Sequence, residues 1–168
     1  MSLGLRGIIG LPVVLALQTV RWTKPRSCAT SFDDPLPASA RNLAFNGLFP
    51  IIRVNGAGRQ LAFVFDTGNQ AGTQLWEPFQ REFAAVIKQQ GTKGTVRVTQ
   101  FGGSNEHEVI VLPGVVLGVG GFKTVIKPAN VFSRPVGDDR WHGNLGMDVL
   151  GQASEVTIDF RTMSVVLK

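Results

Sequence analysis

Short apolar runs separated by glycine-rich turns are the feature that most restricts the fold of this chain. Residues 48–54 and 60–65 are mainly apolar, β-branched or aromatic, and Asn-Gly-Ala-Gly at 55–58 separates them. Glycine adopts the positive φ angles that a tight reversal requires, so these two runs predict a β-hairpin. The chain contains 20 glycines and 9 prolines. Because helical periodicity is confined to a few stretches, the pattern favours a turn-rich β protein over a helical bundle.

The sequence after the first hairpin continues this pattern with one helical exception. Apolar residues at three- and four-residue steps from Leu75 to Ile87 predict one short amphipathic helix, which Gly91 ends. Residues 143–151 predict a turn that leads into a helical turn. The further strands are expected at 96–101 and 107–112, at 115–119 and 123–126, at 130–132, and at 155–160 and 163–167. We therefore expect an all-β domain with one or two short helices.

Length limits this chain to about one domain, and the distribution of its charge argues against a nucleic-acid partner. A chain of 168 residues accommodates one domain with a short appendage, and 43% hydrophobic residues suffice for a buried core. Residues 1–41 contribute +3 of the net charge of +5, and the other cations are scattered singly. A nucleic-acid surface typically shows a basic run or basic residues interleaved with aromatic ones. We therefore expect no nucleic-acid partner.

Residues 1–30 have the pattern of a signal peptide or an N-terminal membrane anchor. An uncharged, mostly apolar stretch of ten residues, 8–17, follows Arg6. It is shorter than the roughly 18 apolar residues of a membrane span and matches the apolar region of a secretory signal. Val14 and Ala16, or Ser27 and Ala29, mark candidate cleavage sites. We expect an exported protein, periplasmic or membrane-anchored, in which a linker at 31–41 precedes a domain at 42–168.

The second arm of the first hairpin ends in a carboxyl group, because Asp66 follows Phe65 and opens the turn Asp66-Thr67-Gly68. An ionised Asp at the end of an apolar strand is unfavourable unless it is hydrogen-bonded. Two roles fit this position, a residue that caps the turn and a functional acid. The tripeptide alone does not separate them.

Three elements, in this order, resemble the retropepsin-like aspartic proteases and in particular the bacterial single-domain aspartyl proteases. The first is the strand and turn from Leu61 to Gly68. In the place of the glycine-tipped flap stands Phe101-Gly102-Gly103-Ser104. The third is Gly143-Asn144-Leu145-Gly146-Met147-Asp148-Val149-Leu150, which precedes the last two strands. The resemblance extends over about residues 42–168 and implies a retropepsin-like acid protease barrel.

The resemblance implies an aspartic endopeptidase that needs no metal or cofactor. In that chemistry two carboxylates share one proton, and the pair activates a water that attacks the peptide carbonyl. The chain has one Asp-Thr-Gly, so the resemblance implies a homodimer in which each copy supplies Asp66. Thr67, Gly68 and Asn69 then support the site. A peptide substrate lies extended between this floor and the flap, Phe101 to Ser104.

Two features depart from the family pattern. Asn69 stands where a small Ala or Ser is usual, and the chain has no tyrosine for a flap hydrogen bond of the kind that pepsin-like enzymes make. These departures, and the single half-site, motivate an alternative from another class. In it the chain is a catalytically inactive barrel of the same fold that binds a peptide or serves for dimerisation.

Other acidic residues are interpreted as structural. The resemblance places Gly143 and Gly146 in a structural run, and it gives Asp148 the role of capping the short helix. Asp138 and Asp139 precede Arg140 in a loop and are typical of a solvated turn.

The two histidines do not predict a metal site. His107 lies between Glu106 and Glu108 in an expected strand, where neighbouring residues face opposite sides. His142 has no companion ligand, whereas zinc sites generally need three or four. No glycine-rich loop leads from a strand into a long helix, so nucleotide binding is not expected either.

Overall fold

The computed structural model describes residues 10–24, 27–30, 41–100, 103–134 and 136–168, and strands dominate it. Its strands are β1 (Thr19–Thr23), β2 (Ser27–Thr30), β3 (Leu43–Asn46), β4 (Phe49–Gly56), β5 (Arg59–Phe65), β6 (Gln74–Leu75), β7 (Thr92–Gln100), β8 (Gly103–Leu112), β9 (Val115–Val119), β10 (Phe122–Ile126), β11 (Ala129–Phe132), β12 (Gly143–Leu145), β13 (Glu155–Asp159) and β14 (Ser164–Leu167). Its helices are α1 (Leu11–Ala16), α2 (Glu77–Glu82), α3 (Ala84–Gln90) and α4 (Met147–Leu150). The mostly β class is confirmed, whereas the described residues contain four short helices and not the one or two that were expected.

The first predicted hairpin is formed by β4 and β5. Its register pairs Asn55 with Gln60 and ends at a two-residue turn. Both turn residues have positive φ, +49° at Ala57 and +77° at Gly58, which matches the twist that hairpins favour. Alternate residues of β5 are buried, ending with Phe65. The strand therefore directs its apolar face into the core and ends where Asp66 begins.

A large curled sheet of the half-barrel kind places distant parts of the sequence beside Asp66. Its strand order is β10-β9-β4-β5-β12-β6-β11-β8-β7, and β3 pairs with β4. β12 lies parallel to β5 and antiparallel to β6. Phe65, the last residue of β5, is in register with Leu145 of β12. The run that begins at Gly143 thus lies against the end of the strand that leads to Asp66.

A second sheet includes a strand upstream of the domain boundary expected at residue 42. Its order is β14-β13-β1-β2, and β1 pairs with β13 from Thr19↔Asp159 to Thr23↔Glu155. Trp22 of β1 packs against a core cluster that contains residues of both sheets. Residues 1–9, 25–26 and 31–40, which belong to the expected leader and linker, lie outside the described residues. Among the described residues no helix has the length and apolar character to cross a membrane.

The predicted single helix is instead a short strand followed by two helices. Leu75, in β6, pairs with Gly143 of β12. The Trp76 N–H donates to the His142 carbonyl oxygen at 2.9 Å. Pairing with β12 therefore overrides the helical spacing at the start of this segment. The helix breaks at Phe83, whose φ and ψ are −110° and +25°. Val86, one of the apolar residues of this spacing, is 42% exposed.

The second hairpin, β7 with β8, is confirmed and is longer than expected. Its register continues to Thr99↔Ser104 and Gln100↔Gly103, so Ser104 belongs to a strand. The hydroxyl groups of Thr99 and Ser104 are hydrogen-bonded at 2.8 Å. Phe101 and Gly102, the other two residues of the expected flap, lie outside the described residues.

Candidate active site

Asp66 is held at the end of β5 by hydrogen bonds of its backbone and of its side chain. Its backbone N–H donates to the carbonyl oxygen of Leu145 at 3.1 Å. One carboxylate oxygen, Oδ1, accepts the Gly68 N–H at 2.9 Å, and the other, Oδ2, accepts Nδ2 of Asn144 at 3.2 Å. The residue is half-buried. Asp66 therefore both caps its turn and presents a carboxylate of fixed orientation.

A groove of about 510 Å³ opens beside this carboxylate. Much of its wall is apolar or aromatic, and several polar side chains also line it. The apolar members are Phe49, Pro50, Val64, Phe65, Trp76 and Trp141, and the polar ones are Asn46, Asp66, Asp138, Arg140 and Asn144. A largely apolar cleft with a few convergent polar groups is the usual form of a ligand-binding site.

The loop after Asp66 is stabilised by Asn69. Its side-chain Nδ2 donates to the Gly72 carbonyl oxygen at 2.8 Å, and its Oδ1 accepts the Ala71 N–H at 3.1 Å. Its backbone carbonyl accepts the Met147 N–H at 2.9 Å. Asn69 thus joins the loop to α4, and its side chain is directed at its own loop. Thr67 is exposed.

Two glycines allow β12 and α4 to approach this loop closely. A Cβ at Gly143 would collide with the carbonyl oxygen of Gln74. One at Gly146 would lie 3.0 Å from both Nδ2 and the carbonyl oxygen of Asn69. A larger residue at Gly143 would collide with β6, and one at Gly146 would crowd the loop after Asp66.

Asp148 has a structural role that differs from the expected helix cap. The N-cap of α4 is Gly146, with no side-chain cap, and Asp148 lies in the first turn of the helix. Its Oδ1 accepts the backbone N–H of Thr73 at 2.9 Å and the Thr73 hydroxyl at 2.7 Å. That hydroxyl oxygen accepts the Gly146 N–H at 3.1 Å. Asp148 therefore holds the chain before β6 against α4.

Asn144 is a site residue that the sequence alone did not identify. It lies in the middle of β12, in register with Val64 of β5. Its Nδ2 donates to Asp66, whereas its Oδ1 is buried and has no hydrogen-bond partner in the described part of the chain. Asn144 could be identified only from the parallel pairing of β12 with β5, and no local sequence pattern predicts that pairing.

Asp138 and Arg140 form an ion pair in the wall of the groove. Nε of Arg140 donates to Oδ1 of Asp138 at 2.8 Å, and the Arg140 backbone N–H donates to the same oxygen at 3.0 Å. These hydrogen bonds lower the pKa of Asp138 to about 2. The Arg140 guanidinium lies 5.6 Å from the ring centroid of Trp141. This turn was expected to be a solvated one, and its ion pair also borders the groove.

His142 connects β5 with the end of α2. Its Nδ1 accepts the Ala62 N–H at 3.1 Å, so the proton is on Nε2, which donates to Glu82 at 2.9 Å. Glu82 also pairs with Arg59 at 3.0 Å. The hydrogen bond from His142 is the main cause that lowers the pKa of Glu82. His142 thus fixes the position of the chain just before β12.

The remaining candidates lie apart from the groove. Glu106 pairs with Arg97 at 3.1 Å, and the ring of His107 lies 5.4 Å from that of Phe132. Gly103 and Ser104 do not line the Asp66 groove in the part of the chain that the structure describes.

A search of the described residues for three or more His, Cys, Asp or Glu that could hold a metal ion finds no such group. A scan of protein-family models and a search of curated proteins both return no match to this chain.

Proposed function

We propose that this chain is one half of a homodimeric aspartic endopeptidase. The observation that carries the proposal is the position of Asp66, which follows the half-buried strand β5, lines a largely apolar groove and has both carboxylate oxygens held by donors. In this proposal its carboxylate pairs with Asp66 of a second copy. The barrel architecture of the retropepsin-like proteases is part of the proposal.

The adjacency of two distant sequence elements supports this proposal. The run at 61–68 and the run at 143–150 carry the resemblance to that family. In the structure β12 lies directly beside β5, and α4 contacts the loop after Asp66 through Asn69 and Met147. The two runs that carry the resemblance therefore lie side by side in the fold.

The proposed reaction uses the two carboxylates as an acid and a base. Two like charges at short range do not both ionise readily, so the pair holds one proton. The ionised carboxylate removes a proton from water as the water oxygen bonds to the peptide carbonyl carbon, and the protonated one donates to the carbonyl oxygen. The carboxyl group that took the water proton then donates it to the amide nitrogen as the C–N bond breaks. The other carboxylate takes a hydroxyl proton from the tetrahedral intermediate, so that the dyad again holds one proton.

Exposed side chains near the groove support a role for a second copy. Leu48, in the turn between β3 and β4, and Phe49, the first residue of β4, are 81% and 62% exposed, and Phe49 lines the groove. Large apolar side chains exposed beside a polar site are typical of a surface that a partner or a ligand covers. In the proposed dimer the exposed Thr67 braces the paired loops.

The proposed substrate is an extended peptide segment. The aromatic side chains of Trp76 and Trp141 in the groove wall favour a large apolar side chain next to the scissile bond. The β7/β8 hairpin is the proposed flap. Export, with the N-terminal segment as a signal peptide or a membrane anchor, completes the proposal.

The test is the substitution Asp66→Asn, which keeps the size and removes the charge. We expect it to lower the cleavage of fluorescently labelled casein, assayed from acid to neutral pH, by about 10²–10⁴-fold, because it removes the acid and base group. Asp139→Asn is the matched control, since Asp139 is exposed and outside the groove wall, and we expect it to retain wild-type cleavage. Equal cleavage by Asp66→Asn and the wild type would overturn the proposal. If both the wild type and Asp66→Asn bind casein peptides and neither cleaves them, the result would favour the inactive peptide-binding barrel.

A further inference from the structure

We propose that Asn144 is a positioning residue for Asp66, and that its carboxamide fixes the plane of the reacting carboxylate. This inference rests on the proposed function and adds a residue to it. Asn144 acts through Asp66 and makes no contact with the reacting atoms of the substrate in this account.

The two oxygens of Asp66 are held from different parts of the chain. Gly68 lies in the same turn and donates to Oδ1 at 2.9 Å, whereas Asn144 lies on β12 and donates to Oδ2 at 3.2 Å. The terminal torsion of an Asp side chain is broad, so a carboxylate held at one oxygen still rotates. The second donor removes that freedom. Asn144 therefore sets the angle at which Asp66 faces a second carboxylate and a water.

The backbone around Asn144 is fixed by close packing. Gly143 and Gly146 flank it within three residues, and neither has room for a Cβ without displacing Gln74 or Asn69. Gly143 and Leu145 are buried, whereas Asn144 points to the other face of the strand and lines the groove. The position of its carboxamide next to Asp66 thus follows from the register of β12.

The side-chain carbonyl oxygen of Asn144 provides a second observation that supports a role in the site. Oδ1 is buried and has no hydrogen-bond partner among the residues that the structure describes. A buried carbonyl without a partner reduces stability, and an apolar side chain at this position avoids that loss. A residue that is unfavourable for folding and well placed for a reacting group is typical of a functional site.

Loss of the Asn144 carboxamide is expected to slow the chemical step and to change substrate binding little. Asn144 is one of many side chains that line the groove, so the loss of its carboxamide alone changes substrate binding little. A less ordered carboxylate spends less time in the reactive geometry, and small misplacements of a catalytic group have large effects on rate. We expect Asn144→Leu to lower kcat by about 10- to 100-fold, as a lost charge-assisted hydrogen bond does, with KM changed less than about twofold.

The experiment compares Asn144→Leu, Asn144→Ala and Asn130→Leu in the full chain. The substrate is a fluorogenic peptide whose sequence is that of a site at which the wild type cleaves casein. The melting temperature of each variant is also measured. Asn130 is a half-buried asparagine on β11, outside the groove wall, so Asn130→Leu controls for the same substitution in a strand. We expect Asn144→Leu to have the lower kcat and a melting temperature equal to or above that of the wild type.

Two results would overturn the inference. One is a wild-type kcat in Asn144→Leu, and the other is a parallel fall of kcat and melting temperature, which indicates a structural role. If Asn144→Leu does not fold, Asn144→Ala decides by the same criteria. The proposed function fails separately, when Asp66→Asn cleaves as well as the wild type. An inactive Asp66→Asn with a fully active Asn144→Leu therefore rejects this inference and leaves the proposed function standing.

Discussion

Thr73 is the residue whose hydroxyl group joins the loop after Asp66 to α4. The hydroxyl donates to Asp148 at 2.7 Å and accepts the Gly146 N–H at 3.1 Å, and Thr73 is 3% exposed. Thr124 is the contrasting case, because it is fully buried and its hydroxyl has no partner among the described residues. The two threonines are therefore matched in burial and opposite in hydrogen bonding.

We expect Thr73→Val to reduce the free energy of unfolding by about 1–3 kcal/mol, because it leaves the Gly146 N–H without its buried acceptor. Thr124→Val removes a buried hydroxyl that is unpaired, so we expect no loss of stability and a small gain. Urea denaturation of both variants measures the difference. Equal losses in the two variants would show that the Thr73 bridge does not stabilise the loop.

Some residues of the candidate site were predictable and others were not. Asp66 and Gly68 form a local turn, which the tripeptide and the apolar strand before it predicted. The interpretation of Asp66 as a functional acid came from the family resemblance. Asn69 was expected to be a departure near the carboxylate, and its side chain instead binds Gly72 and Ala71. Asn144 depends on the pairing of β12 with β5, which is a contact between distant parts of the sequence.

At the scale of elements, β1 connects the N-terminal segment to the domain. It pairs with β13 along its whole length, and the Arg21 Nε donates to the Thr157 hydroxyl at 3.1 Å. Thr19 is 2% exposed. By contrast, α1 has no buried residue. The segment thus divides into a helix that packs little and a strand that belongs to a sheet.

We expect deletion of residues 1–18 to leave the melting temperature nearly unchanged, because it removes no buried side chain of α1. Deletion of residues 1–24 also removes β1 and leaves β13 without one of its two neighbouring strands. It exposes the core residues against which Trp22 packs. We expect that deletion to cost several kcal/mol, a fall of about 10 °C or more. Thermal unfolding followed by circular dichroism measures both. Equal melting temperatures of the two deletions would show that β1 does not stabilise the domain.

The same elements bear on where a leader would be cleaved. Cleavage after Ala16 leaves β1 intact, whereas cleavage after Ala29 removes it from the sheet. Of the two candidate sites in the sequence, the structure favours the first for a protein that keeps this fold after processing.

Local signals predicted the hairpins well and the helix poorly. The turn at Ala57 and Gly58 needs only local φ angles, so the β4/β5 hairpin was readable from its glycines. The apolar spacing from Leu75 to Ile87 was read as one helix, but Leu75 forms a strand with β12 and the helix breaks at Phe83. The competing interaction is a sheet pairing across the chain, which periodicity does not encode.

For the molecule as a whole, one core cluster joins the two sheets, and one Asp-Thr-Gly lies at the edge of a groove. The mostly β class followed from composition and turns. The groove did not, because its walls come from β3, β4, β5, Trp76, the loop before β12 and β12 itself, which only the folded chain brings together. A single carboxylate of this kind in an 18.1 kDa chain is why the proposed mechanism needs a second copy.

Mixed dimers test this requirement most directly. Wild type and Asp66→Asn are unfolded together in equal amounts, refolded, and assayed for casein cleavage against the same total amount of wild type. If each active site needs Asp66 from two chains, random pairing leaves about one quarter of the activity, because only dimers of two wild-type chains act. If each chain acts alone, about one half remains. The account predicts one quarter, and one half would contradict it.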